Sequence, residues 1–61
     1  MNYQLIADKI EGILNELFIP INEENYKLIK GIVASYLINE YDVCNDSDIR
    51  NIMFKLFDKV L

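Results

Sequence analysis

The sequence contains no histidine and no tryptophan, a single cysteine, one proline and only two glycines. Each shortage removes a class of explanation. Without histidine, the chain lacks the commonest metal ligand and the commonest general base at neutral pH. With Cys44 alone, no internal disulfide can form, and small domains without disulfides or metals turn to oligomerisation for stability. A lone cysteine also fits a reducing compartment, so a cytoplasmic location is expected. No stretch of about 18 uncharged apolar residues occurs. The first residues carry no basic segment leading into an apolar core, so neither a membrane span nor a secretory signal is expected. Positive charge is scarce too: six Lys and Arg face ten Asp and Glu, for a formal net charge of −4. That field repels nucleic-acid phosphates and anionic lipid headgroups.

Apolar side chains are abundant, at 52% of the 61 residues. A domain this short buries only about 60% of the surface its unfolded chain exposes. Part of the apolar material is therefore left at the surface, where contiguous apolar patches mark interaction sites.

Few breakers interrupt the chain, and those present divide residues 1–61 into the three helices of a single domain. Tyr3, Ile6, Ile10, Ile13, Leu14 and Leu17 recur at helical spacing, which predicts a first helix over about residues 3–18. Pro20 disfavours helical geometry at Ile19 and turns the chain. Asn22 is a suitable N-cap, Ile21 and Tyr26 are spaced for a hydrophobic staple, and Glu23 and Glu24 suit the positive end of a helix dipole. A second helix is predicted over about 23–41, with Tyr26, Ile29, Ile32, Val33, Tyr36 and Leu37 on its apolar face. Asn45 or Asp46 caps a third, about 47–60, with a stripe of Ile49, Ile52, Met53, Leu56, Phe57 and Val60. Short connections favour antiparallel neighbours, so the expected fold is all-α, a small antiparallel three-helix bundle that stands alone or is completed by dimerisation.

Several residues do not fit the core stripes. Phe54, Phe57 and Leu61 share a second ridge on the third helix, with the aromatic spacing used by helix-in-groove recognition and interface hot spots. Leu5, Leu28 and Ile38 fall outside the core seams of the first two helices. Gly12, Gly31, Ala34 and Ser35 form a group of small residues; glycine inside a helix costs about 0.5–1 kcal/mol relative to alanine. Gly31 and Ser35 lie opposite the apolar face of the second helix, which assigns them to contact with another copy. Phe54, Phe57, Leu61, Ile38, Leu28, Leu5, Gly31 and Ser35 together make the expected partner or self-association surface.

Catalysis and metal binding find no support in the residue pattern. Ser35, Ser47 and Cys44 have no histidine to activate them. Glu40, Asp42, Asp46 and Asp48 cluster around the second turn, but a calcium loop begun at Asp42 would place Cys44, Ser47 and Met53 where it needs an oxygen ligand, glycine and glutamate. No cofactor and no metal are expected. The expected role is a small acidic interaction module that regulates or inhibits another protein with a basic or apolar surface, and that pairs with itself as a homodimer. In size and charge the chain resembles short acidic helical regulators of bacteria and phages, a likeness that transfers no residues. One alternative is a weak DNA-binding regulator using Arg50, Lys55 and Lys59 of the third helix; a recognition helix is served poorly by the acidic start at Asp46 and Asp48. Another is a structural subunit of a larger assembly.

Overall fold

A computed structural model describes residues 1–43 and 45–58; Cys44 and residues 59–61 lie outside the described residues. The order is α1 (Tyr3–Glu16), a 3-10 turn (Glu23–Asn25), α2 (Tyr26–Tyr41) and α3 (Asp46–Asp58). No strand occurs among the described residues. The fold is the expected small three-helix bundle. Its radius of gyration of 10.5 Å is close to the roughly 10 Å that a compact chain of this length should have.

Each helix boundary has a local cause. The Asn2 side chain accepts a hydrogen bond from the Leu5 N–H at 3.1 Å, capping α1. At the other end the Phe18 N–H donates to Asn15 O at 3.1 Å and the Ile19 N–H to Leu14 O at 2.9 Å, the paired bonds of a Schellman motif. That motif puts its closing residue in the left-handed region, and here the residue is Phe18, at φ 58°. Asn22 accepts from the Asn25 N–H at 3.0 Å and starts the 3-10 turn that leads into α2. The Asn25 amide in turn donates to Pro20 O at 2.9 Å, which fixes the linker. Asp42, at φ 55°, ends α2 by donating its N–H to Ile38 O at 3.1 Å; aspartate tolerates this backbone conformation better than most residues. The Ile49 N–H bonds to Asn45 O at 3.1 Å, placing the first turn of α3 directly after Asn45.

The core is a single cluster made by all three helices: Ile6, Ala7, Ile10 and Leu14 from α1, Ile29, Val33 and Leu37 from α2, and Ile49, Ile52, Met53 and Leu56 from α3. Helix α3 lies against both α1 and α2, whereas the backbones of α1 and α2 scarcely approach each other. Ile19 and Ile21 of the first linker pack against the cluster and close one end. Across the other end the Tyr3 hydroxyl donates to Asp48 Oδ1 at 2.6 Å, so α1 and α3 run parallel with their starts tied together.

Four details of the core depart from the pattern of the sequence. Leu17 is exposed because the helix has already ended at Glu16 and the Schellman turn carries the chain beyond the core face. Ala7 is buried instead; its small side chain brings α1 close to the cluster. Tyr26 is 45% exposed and rests on Phe57, with ring centroids 5.3 Å apart. Ala34 packs against the core rather than joining Gly31 on the outer face. Val60, the last member of the predicted α3 stripe, lies outside the described residues.

Candidate functional site

Because α1 and α3 are parallel and α2 runs against them, the end of α1, the start of α2 and the end of α3 share one end of the bundle. Most of the exposed apolar mass gathers there and along the neighbouring outer faces. Phe54 is 66% exposed on α3. Beside it, Phe57 is half-buried against the core and tilted by 53° onto Tyr26. Met53 forms the buried floor between them. These residues and Arg50 line an apolar hollow of about 230 Å³. The predicted ridge is therefore present as an exposed Phe54 on a ledge made by Phe57 and Tyr26. Leu61, its third member, lies outside the described residues.

A second hollow of about 210 Å³ adjoins the first and shares Tyr26 and Arg50 with it. Its remaining wall is Lys30, Asp46 and Ile49. Arg50, assigned by its position on α3 to phosphate contact, thus sits over the α2–α3 seam. Lys55 is exposed, and Lys59 lies outside the described residues.

The outer face of α2 makes a separate surface. Leu28 and Ile38 are about half exposed, and between them Gly31 and Ser35 are exposed. Leu28, Gly31 and Ser35, with Lys27, Ile32, Tyr36 and, across from α1, Ile13, line a shallow hollow of about 530 Å³ that does not include Ile38. It exists because α1 and α2 do not close on each other and Gly31 contributes no side chain. A Cβ built on Gly31 meets no atom within 4 Å, and the same is true of Gly12, so neither glycine serves a close helix contact inside the chain. Leu5 is exposed on α1, apart from Gly31 and Ser35.

Two of the acidic residues around the second turn, Asp42 and Asp48, have structural tasks. Asp42 terminates α2. Asp48 accepts from Tyr3 through Oδ1 and from the Asn45 amide through Oδ2 at 3.3 Å. This bond to the carboxylate, with burial and the charge of Asp48 acting in the same direction, raises the Tyr3 hydroxyl pKa above its usual 10.0. Among the described residues no three acidic or sulfur side chains converge on a point where a metal ion would sit. No helix of the described residues is long and apolar enough to cross a membrane.

Phe18 is not marked by periodicity and is the most exposed large apolar residue among the described ones, at 91%. Its ring shares a shallow hollow with Asn15, Ile19 and Pro20. The available signal was the run Leu17-Phe18-Ile19 directly before Pro20, three apolar residues where a helix must end.

Comparison with protein families, characterised proteins and solved structures finds no match to this chain.

Proposed function

We propose that this protein is a protein-binding module, a regulator or inhibitor that acts by occupying a partner's surface through the ledge around Phe54. The observation that carries the reading is the exposure of Phe54, at 66%, on a floor of Met53, Phe57 and Tyr26. An exposed phenylalanine beside a second aromatic in a shallow apolar hollow is the arrangement of an interface anchor. The role proposed is binding without chemistry, in keeping with a chain that has no histidine. The test is affinity capture with the parent chain and with Phe54→Asp, both checked for helicity by circular dichroism. Partners retained by the parent and lost by the variant support the reading, and equal retention by both rejects it.

A second reading, self-association through α2, is favoured by one observation. Leu28, Gly31, Ser35 and Ile38 are spaced three, four and three residues apart, a heptad seam. They are arranged large, small, small, large about Val33. An antiparallel second copy would set Leu28 against Ile38 of its partner and Gly31 against Ser35, the self-complementarity that a two-fold interface requires. Light scattering across a wide concentration range tests it: a mass rising toward the dimer supports the seam, and a constant monomer mass removes it.

A further inference from the structure

Positive charge is the scarcest resource of this chain, with six Lys and Arg in all, and two of the six meet at one place beside the Phe54 ledge. Lys30 comes from α2 and Arg50 from α3, and both line the hollow of about 210 Å³ whose only carboxylate is Asp46. Two cations and one anion leave a local balance of +1 on a molecule of net charge −4. The adjoining hollow of about 230 Å³ is apolar in its lining apart from Arg50, which edges both. Tyr26, in tilted contact with Phe57, borders both.

We propose that these paired hollows form a bipartite peptide site for an acidic partner segment, one in which an aliphatic or aromatic side chain is followed or preceded within a turn by Asp or Glu. The inference rests on the reading of Phe54 as an anchor and names the chemistry of what the anchor meets. Each hollow is too small for a typical small-molecule ligand but admits a single side chain. The apolar one takes a large side chain between Phe54, Phe57 and the soft surface of Met53. The charged one offers a carboxylate the fork of Arg50 and the ammonium of Lys30, with the geometric selectivity that guanidinium brings to carboxylates. The overall negative charge of the chain works against such a partner at long range. Recognition is therefore local, and acidic proteins without the apolar side chain are turned away.

The experiment is selection of a random peptide library on the immobilised full chain, discarding every peptide also held by Phe54→Asp. The expected survivors carry a large apolar residue with neighbouring Asp or Glu. Their affinity falls by about tenfold or more on Arg50→Glu, as expected for loss of a partly desolvated charge contact. Lys9→Glu, the same charge change on an exposed α1 residue, leaves it nearly unaltered. Survivors without an acidic bias, or with affinity indifferent to Arg50→Glu, overturn the acidic partner while leaving Phe54 as an anchor. Failure to recover any Phe54-dependent peptide overturns both.

Discussion

Phe18 shows most clearly what a single residue can cost this fold. A bulky side chain in the left-handed region carries a penalty of about 1–2 kcal/mol, and Phe18 at φ 58° recovers none of it through burial, being 91% exposed. Glycine is the usual occupant of this position in a Schellman motif. Phe18→Gly is accordingly expected to stabilise the chain by about 1 kcal/mol in urea unfolding; a loss of stability would mean that the ring packs on something in solution. Tyr3 gives a prediction in pH. Its hydroxyl pKa is raised in the folded state by the bond to Asp48, so the folded chain holds that proton more tightly than the unfolded one. The stabilisation is complete below the ordinary tyrosine pKa and is lost as pH rises through the raised value. Tyr3→Phe should flatten this alkaline decline without adding one of its own, as followed by melting temperature above pH 9.5 or so. Neither effect was legible in the sequence. Periodicity says which face a helical residue takes, but not that the helix has ended two residues earlier, nor that a tyrosine at one N-terminus reaches a carboxylate at another. Phe54 was legible because it breaks the α3 stripe.

At the scale of elements, the three helices could be read from apolar spacing almost to their ends, since long stretches with few breakers leave periodicity undisturbed. The exceptions are local. Residues 23–25 form a 3-10 turn rather than the first turn of an α-helix, because the Asn22 side chain and Asn22 O both bond the Asn25 N–H. The relation between α1 and α2 was not legible at all: each has a full apolar face, yet their backbones scarcely approach and the hollow beneath Gly31 opens between them. That hollow makes Gly31 a decisive position. With nothing within 4 Å of a built Cβ at either glycine, Gly12→Ala and Gly31→Ala should each stabilise their helix by about 0.5–1 kcal/mol. Gly12→Ala should change stability only. If α2 is a dimer seam, Gly31→Ala should in addition weaken self-association in sedimentation, whereas an unchanged dimer would show that the seam lies elsewhere.

The whole molecule depends on α3, whose backbone packs against both α1 and α2. A domain of this size has a stability of only several kcal/mol, and truncating a buried aliphatic costs about 2–5 kcal/mol. Ile52, fully buried on α3, is the residue whose change to alanine should leave the chain largely unfolded at 37 °C, by circular dichroism. A cooperative, native-like melt would contradict the central place given to α3. The accessible surface of 4256 Å² is close to the roughly 4,100 Å² expected of a compact monomer this small. The abundance of apolar residues therefore does not reflect a loose bundle. It reflects side chains held outward on a compact one, Phe54 on its ledge among them. The direct test is urea unfolding of Phe54→Asp beside the parent at low protein concentration. The account predicts unfolding free energies that agree to within about 0.5 kcal/mol, as for an exposed substitution. A loss of about 2 kcal/mol or more would show that Phe54 closes the end of the bundle and is no interaction site.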